Sequence, residues 1–251
     1  MKSYAKINIF LKIVGTRGNY HEILSRFARF EDIFDEIEFQ KADKFELTSN
    51  VDIKDNIILK AKTELENAGF KDVINEFFTA HKIVLNKNIP TGAGLGGGSS
   101  NAATFLLMTN EQLNLKIPMN KLAQIGAKIG SDVPFFVYGY KSANVSGVGE
   151  IVKEFDDDVP QTRLITPNVF CSTPQVYKKF RSDFMQNINV KQANDFLNLS
   201  SSKLLQNFKN YELNDLYAPC LELYPQLKEH EDQFLSGSGS SFFMLKSQDS
   251  K

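Results

Sequence analysis

Cysteine is scarce in this chain: Cys171 and Cys220 are the only two in 251 residues, and they do not have the spacing of a metal site. A disulfide framework like that of small secreted proteins is therefore not expected, and a reducing compartment fits. A run of about 18 apolar residues, which a membrane-spanning helix requires, is also missing. The N-terminal segment lacks the apolar core of a signal peptide because Lys6, Asn8 and Lys12 interrupt it. The sequence thus predicts a cytoplasmic protein without a membrane partner.

The chain also lacks an excess of charge of one sign. It has 29 Lys and Arg residues against 30 Asp and Glu residues, a formal net charge of −1. A general nucleic-acid-binding protein normally has a basic excess, so this balance argues against one. The composition, 42% hydrophobic and 24% charged, is that of an ordinary globular protein with enough sequence for a core. Recognition of a partner must then depend on local features.

The N-terminal segment alternates apolar and polar residues, which is the pattern of a strand. Ile7, Ile9 and Ile13 fall on one face, and this face is expected to be buried. Lys6 and Asn8 fall on the other face, two residues apart, so their side chains project to the same side. An unpaired ammonium would be costly to bury, so Lys6 is either a functional cation or an ordinary surface lysine.

Further along the chain, strand-like and helix-like patterns follow one another without regular alternation, which indicates an α+β fold in two lobes. The specific predictions are a hairpin over 35–40 and 44–49, a helix over 55–70 that begins at Asp55, a loop leading into a strand over 131–139, and a hairpin over 144–155. Charged residues and a proline near 156–161 indicate a domain boundary. The predicted domains are residues 1–156 and 157–251.

The most unusual feature is the segment PTGAGLGGGSSNAA, residues 90–103, which has five glycines in Gly92–Gly98. Glycine buries almost nothing and loses the most conformational entropy on folding, so a plain connecting loop is disfavoured. A Walker A loop requires a lysine directly before the Ser or Thr, and here Gly98 precedes Ser99. The glycine spacing matches the Rossmann fingerprint, but the loop is not the first strand-to-helix turn and the required acidic residue is missing.

What remains is a glycine-rich loop before a helix, which offers free N–H groups and the positive end of the helix dipole. This is an anion site, and phosphate is the usual anion. Ser99 and Ser100 add hydroxyls, as ligands or as N-caps. Asp132 is either a carboxylate that orients or deprotonates a hydroxyl, or a turn or N-cap aspartate. Together with Lys6, these features would form a minimum set for phosphoryl transfer.

Several separated motifs resemble the galactokinase, homoserine kinase, mevalonate kinase and phosphomevalonate kinase (GHMP) superfamily. In chain order they are AKINIFLKIVGTRGNYHEI, PTGAGLGGGSSNAA, GSDVPFF, GVGE and LSGSGSSFF. The resemblance implies a two-lobed GHMP kinase fold, with an N-terminal ribosomal-protein-S5-domain-2-like lobe and a C-terminal ferredoxin-like lobe. More narrowly, the motifs are similar to the branch whose acceptor is a cytidine diphosphate-linked methylerythritol, in the non-mevalonate route to isoprenoid precursors.

The resemblance also implies roles for individual residues. Lys6 and Asp132 match the catalytic lysine and aspartate. The residues that match the ATP phosphate loop are Pro90, Thr91, Gly92, Ala93, Gly94, Leu95, Gly96, Gly97, Gly98, Ser99 and Ser100. The residues that match the substrate contacts are Asn8, Tyr20, His21, Thr173 and Tyr177. The two tyrosines are expected to stack on the cytosine. ATP is implied as co-substrate, with Mg²⁺ held by its phosphates and water rather than by protein ligands.

Three alternative hypotheses remain at this point. Another kinase of the same superfamily would retain Lys6, Asp132 and the glycine loop, but not a site for cytosine. A non-catalytic nucleotide-binding module would retain only the loop. An RNA-binding module that shares the N-terminal fold is disfavoured by the neutral charge, since RNA binding would depend steeply on salt. The expected partner is therefore a small molecule and not a nucleic acid.

Overall fold

The computed structural model describes residues 1–246, which form two compact units. Unit 1 consists of Met1–Ala5, Phe30–Ile89 and Gly96–Tyr140, and unit 2 of Lys6–Arg29, Pro90–Leu95 and the described chain from Lys141 onward. Both are discontinuous because two long strands, β1 (Lys2–Arg17) and β2 (Tyr20–Lys41), contribute residues to each unit. These two units divide the chain differently from the predicted consecutive domains 1–156 and 157–251. The two domains stay a prediction.

Unit 1 packs helices on strands of a six-stranded sheet. Its elements after β2 are β3 (Leu47–Ser49), α1 (Ile57–Leu65), a π-helical turn (Glu66–Phe70), α2 (Lys71–Phe78), β4 (His81–Asn86), α3 (Gly97–Gln112), α4 (Met119–Ile129) and α5 (Val133–Tyr138). Residues 36–41 of β2 pair antiparallel with 81–86 of β4, which also pairs parallel with β3. The Phe39 ring lies 5.4 Å from Phe78 in α2 and 5.8 Å from Phe105 in α3.

Two strand predictions in unit 1 are wrong. Segments 35–40 and 44–49 form no hairpin, because β3 pairs with β4. Residues 131–139 form a turn and helix α5 instead of a loop and a strand. A continuous apolar run does not distinguish a buried strand from a buried helix, and here residues 133–137 are all buried. Pro134 lies in the first turn, where a helix needs no N–H donor, and Gly139 ends the helix with φ +70°.

The helix predicted over 55–70 is present, but its ends differ. The N-cap is Asn56, whose side chain accepts from the Ile58 N–H at 3.1 Å, and not Asp55. Gly69, with φ +103°, lies in the π-helical turn after α1. Helix α2, which the sequence analysis did not separate, then follows directly. An N-cap is selected by the backbone angles of the turn, which the composition of the segment does not specify.

Unit 2 contains strands of two sheets, which pair antiparallel, and a set of short helices. Its elements after β2 are β5 (Ser142–Gly147), β6 (Ile151–Glu154), β7 (Thr162–Ile165), α6 (Thr173–Asp183), α7 (Val190–Phe196), α8 (Ser201–Asn207), α9 (Asn210–Leu213), α10 (Tyr217–Leu223), β8 (Phe234–Leu235) and β9 (Phe242–Leu245). The first half of β2 pairs with β5, and β5 with β6, which confirms the hairpin predicted over 144–155. In the second sheet, β9 pairs with β7 and with β8.

Helices and sheets are mixed along the chain, which confirms the predicted α+β class. Strand β1 is buried on both faces, whereas the sequence predicts burial of one: Ile7 and Ile9 are each 1% exposed, and Lys6 and Asn8 are 4% and 2% exposed. None of the helices described between residues 1 and 246 has the length and apolar character that crossing a bilayer requires.

Candidate active site

The Lys6 ammonium is buried in unit 2 beside the glycine loop. Its Nζ donates to Asn8 Oδ1 at 2.5 Å and to the carbonyl oxygen of Gly94 at 2.9 Å. The Lys6 backbone N–H donates to the carbonyl oxygen of Leu95 at 3.0 Å. The alternative that Lys6 is an ordinary surface lysine is therefore wrong, because only 4% of it is exposed. The predicted projection of Lys6 and Asn8 to the same side is confirmed.

Asn8 fixes the direction in which the ammonium points. Its Nδ2 donates to Ser25 Oγ at 3.1 Å, which leaves Oδ1 to accept from Lys6. The Phe27 ring lies beside the same ammonium, with its centroid 4.9 Å from Nζ. A cation held this way by a strand and a ring needs little reorganisation to act on charge that develops nearby.

The second glycine-serine segment, Leu235–Ser241, packs directly against the glycine loop in unit 2. Ser236 Oγ donates to the Gly94 carbonyl oxygen at 3.2 Å, and the Ser241 N–H donates to the Ala93 carbonyl oxygen at 3.1 Å. Gly94 has φ +74°, and a Cβ there would lie 2.2 Å from the Ser236 carbonyl oxygen. This close approach of two backbones explains why glycine is needed. The sequence suits either a second anion or lid contact or a simple turn for this segment, and the structure places it in contact with the glycine loop.

The second part of the glycine loop opens helix α3 in unit 1. Gly96, with φ +69°, is the N-cap, and no side chain caps the helix. The Ser100 N–H donates to the Gly96 carbonyl oxygen at 2.8 Å. The N–H groups that precede it in the first turn have no acceptor within the helix. The Ser100 hydroxyl is buried and accepts from Ser3 Oγ at 2.8 Å. Neither Ser99 nor Ser100 is therefore an N-cap, and the end of α3 that is predicted to bind an anion is capped by backbone alone.

Asp132 stands directly before α5 in unit 1. It is half-buried, lies in a turn and occupies the N-cap position of α5, so its place in the backbone is that of the turn or N-cap alternative, although its side chain makes no capping hydrogen bond to the helix. The turn that carries Asp132 packs against the start of α3, since a Cβ on Gly130 would lie 3.7 Å from Ser99 Oγ. Asp132 therefore lies on a segment that contacts the start of α3, where the helix has N–H groups without an acceptor.

A second group of predicted residues meets around His21 in unit 2. The His21 and Tyr177 rings have centroids 5.1 Å apart and planes 33° apart. Arg181 Nε donates to His21 Nε2 at 3.4 Å. Burial and, to a lesser extent, the Arg181 charge lower the pKa of His21. A neutral imidazole whose Nε2 accepts a hydrogen bond has its proton on Nδ1, so Nδ1–H is a hydrogen-bond donor.

The remaining predicted substrate contacts lie close to these residues in the chain. Tyr20, which directly precedes His21, is 66% exposed. Thr173 begins α6, one turn before Tyr177, and its hydroxyl bonds to that of Ser238 at 2.7 Å. The second glycine-serine segment therefore touches both the glycine loop and a predicted substrate residue. Sequence reasoning missed Ser236 and Ser238, although the repeated Gly-Ser pattern was a signal that could have indicated them.

Removing the neighbouring charge by Arg181→Gln is expected to raise the pKa of His21 towards its ordinary value of 6.5, because burial alone then lowers it. Folded His21 binds a proton less readily than the unfolded chain does. The free energy of unfolding therefore falls as the pH drops below 6.5, and the variant lessens this fall. An NMR titration of the ring measures the pKa, with Lys178→Gln, at an exposed residue of α6, as the control. An identical His21 pKa in wild type and Arg181→Gln would contradict the assigned cause.

Comparison with known proteins agrees with this geometry. The model of the GHMP kinases N terminal domain matches residues 56–140. A protein of Campylobacter jejuni named 4-diphosphocytidyl-2-C-methyl-D-erythritol kinase is 48% identical, over 98% of this chain and 99% of that protein. A protein of Sulfurimonas denitrificans with the same name is 45% identical, over 98% of this chain and 96% of that protein. A crystal structure of 4-(cytidine 5'-diphospho)-2C-methyl-D-erythritol kinase superposes with a TM-score of 0.76 at 28% identity, over 98% of this chain and 90% of that one. The resemblance seen in the sequence motifs is confirmed: the chain belongs to the 4-diphosphocytidyl-2-C-methyl-D-erythritol kinase family of GHMP phosphotransferases.

Proposed function

We propose that this chain transfers the γ-phosphoryl group of ATP to a hydroxyl of 4-diphosphocytidyl-2-C-methyl-D-erythritol, in the cytoplasm, in the non-mevalonate supply of isoprenoid precursors. The observation that carries the proposal is the 48% identity, over nearly the whole of both chains, to a kinase named for that substrate. The buried ammonium at the glycine loop supports phosphoryl transfer as the chemistry, because a cation there offsets charge on a transferring group.

In this proposal the ATP phosphates lie on segment 90–100, where the N–H groups at the start of α3 bind them. Within residues 1–246, no three His, Cys, Asp or Glu side chains gather as metal ligands. Mg²⁺ usually keeps several waters and binds through substrate phosphates and one or two carboxylates. Mg²⁺ would be held by the ATP phosphates and would neutralise charge on the β- and γ-oxygens.

Asp132 is proposed to orient or deprotonate the acceptor hydroxyl, which attacks the γ-phosphorus in line. Lys6 is proposed to stabilise the negative charge of the transferring group. Two observations support these roles: Asp132 is borne beside the free N–H groups of α3, and the Lys6 ammonium is fixed on the Gly94 carbonyl oxygen. Phosphoryl transfer needs little covalent chemistry from a protein, so positioning and electrostatics of this kind are sufficient in principle.

The cytosine is proposed to bind at His21, Tyr20 and Tyr177. The neutral His21 ring has an Nδ1–H donor, which matches an acceptor on the Watson–Crick edge of cytosine. Stacking of a base on an aromatic ring contributes about 1–3 kcal/mol per base, so two tyrosines would supply much of the affinity. Asn8 and Thr173 are proposed to contact the rest of the acceptor.

The test is an assay of ADP release by the wild-type protein with Mg-ATP and 4-diphosphocytidyl-2-C-methyl-D-erythritol, with mevalonate, homoserine and galactose in parallel. We expect turnover with the first acceptor alone, and inhibition by CDP because it occupies the cytosine site. Turnover with one of the other acceptors, without CDP inhibition, would support a different kinase of the superfamily. A folded protein that binds ATP and phosphorylates none of them would overturn the proposal.

A further inference from the structure

Asp35, on β2, lies at the centre of a buried hydrogen-bond network in unit 1 that the motifs and the proposed function do not use. Its side chain is fully buried, at 0% exposure. Oδ1 accepts from the backbone N–H groups of Asn88 and Ile89, at 2.7 and 2.8 Å. Oδ2 accepts from Asn101 Nδ2 at 2.8 Å and from the Lys87 ammonium. One carboxylate therefore receives four hydrogen bonds, which satisfies its charge without water.

The donors of these bonds lie on either side of the glycine loop. Asn88 and Ile89 are the last residues before Pro90, where the loop begins. Asn101 lies in α3, directly after Ser100, where the loop ends. Asp35 thus holds the chain that enters the loop and the helix that leaves it, although it is itself distant in sequence from both. One side chain is therefore hydrogen-bonded to both ends of the loop.

Lys87 extends the network under the first turn of α3. Its ammonium is paired with Asp35 and donates to Asn101 Oδ1 at 3.2 Å. A Cβ on Gly97 would lie 3.1 Å from this ammonium and 2.8 Å from Ile89 Cγ2. The backbone of α3 at Gly97 therefore packs closely against these two side chains. Because they fill the space beneath the turn, a shift of Lys87 would displace the N–H groups at the start of α3.

We propose that Asp35 is a positioning residue for the phosphoryl donor: by holding both ends of the glycine loop, it preorganises the N–H groups that bind the ATP phosphates. This inference rests on the proposed kinase function only in taking the loop as the ATP site. Preorganised donors bind charge without the free-energy cost of their own rearrangement. A looser loop is therefore expected to weaken the binding of ATP more than the binding of the acceptor.

Asp35→Asn is the variant that tests this role. An amide has the shape of a carboxylate but turns an NH₂ group towards two of the four donors, and it leaves the Lys87 ammonium buried without a counter-charge. We expect the KM for ATP and the Kd for Mg-ATP each to rise about tenfold, because a hydrogen bond to a charged group is lost on at least one side of the loop. The KM for the acceptor is expected to change less than about twofold.

Asp157→Asn is the matched control. Asp157 also has a fully buried side chain, and it is paired with Arg26. It accepts from the Ser201 N–H at 2.8 Å and from the hydroxyls of Ser142 and Ser201, and these partners lie outside segment 88–101. This variant is expected to lose stability to a similar degree as Asp35→Asn, with no selective effect on ATP.

Asn101→Ala is a milder second variant, in case Asp35→Asn does not fold. It removes the bond between Asp35 and α3 and keeps the bonds to Asn88 and Ile89. Its KM for ATP is expected to rise about threefold. Equal increases in the KM for ATP and for the acceptor, or the same Kd for Mg-ATP in Asp35→Asn as in Asp157→Asn, would overturn the proposal. Binding of Mg-ATP needs no acceptor, so this result stands even if the acceptor is another molecule.

Discussion

Replacing Asp132 by asparagine is expected to lower kcat about a hundred- to ten-thousandfold, while the variant still binds ATP and CDP. The amide has the shape of the carboxylate, but it cannot accept the proton of the acceptor hydroxyl. The replacement removes no side-chain capping hydrogen bond from α5, since Asp132 makes none. ADP release at saturating concentrations of both substrates measures kcat, and calorimetric titration with ATP and with CDP measures binding.

Asp72→Asn provides the control for this variant. Asp72 is an exposed carboxylate in the first turn of α2, in the same unit, so its replacement removes the same charge away from α3. It is expected to keep kcat within about twofold of the wild type, since exposed substitutions seldom have larger effects. If Asp132→Asn had the wild-type kcat, the proposed acceptor would be unaffected, but the proposed role of Asp132 would be overturned. Loss of ATP binding in Asp132→Asn would indicate a structural role instead.

The second large effect is expected for Gly94→Ala. The new Cβ would lie 2.2 Å from the Ser236 carbonyl oxygen and 2.9 Å from that of Gly239, in a residue with φ +74°. The two backbones must separate, which we expect to lower the free energy of unfolding by about 3 kcal/mol or more. The carbonyl of Gly94 also holds the Lys6 ammonium, so kcat/KM for ATP is expected to fall about a hundredfold or more through its displacement.

Gly139→Ala is the control that separates two causes of the effect of Gly94→Ala, the contact with Ser236 and the backbone strain. Gly139 has nearly the same φ, +70°, but a Cβ there would meet nothing within 4 Å. We expect a loss of about 1 kcal/mol in the free energy of unfolding, from strain alone, and an unchanged kcat/KM. Urea denaturation and ADP release, measured on both variants, give the two quantities. Equal losses of stability in the two variants would show that strain accounts for the whole effect and that the contact contributes nothing.

Much of the candidate site could be predicted from the sequence, because its residues lie in local patterns. The period of two in β1 places Lys6 and Asn8 on the same side, and the structure confirms this placement. The run of glycines followed by small residues predicts a loop that opens a helix, which is what Gly96 and α3 form. These signals depend on backbone geometry over a few residues, and a short stretch of sequence contains that information.

Other elements could not be predicted because their environment comes from distant parts of the chain. The apolar run 133–138 suits a buried strand and a buried helix equally well, and only packing on all sides decides for α5. Asp35 is one of several acidic residues in FEDIFDEIEF, and although it shares a face of β2 with Ile33 and Ile37, its residue type is one that is mostly exposed. Its burial depends on Lys87 and Asn101, which no local pattern connects to it.

The sequence by itself determined the family, the α+β class, the glycine loop and the residues that match the catalytic pair, because each is encoded in a contiguous motif. The tertiary structure alone decided that the Lys6 ammonium is buried on the Gly94 carbonyl oxygen, and that the segment Leu235–Ser241 packs on the same loop. It also decided that Asp35 joins the two ends of that loop in unit 1. The physical reason is that burial and pairing of a charge depend on which distant segments surround it, and long-range packing sets those neighbours.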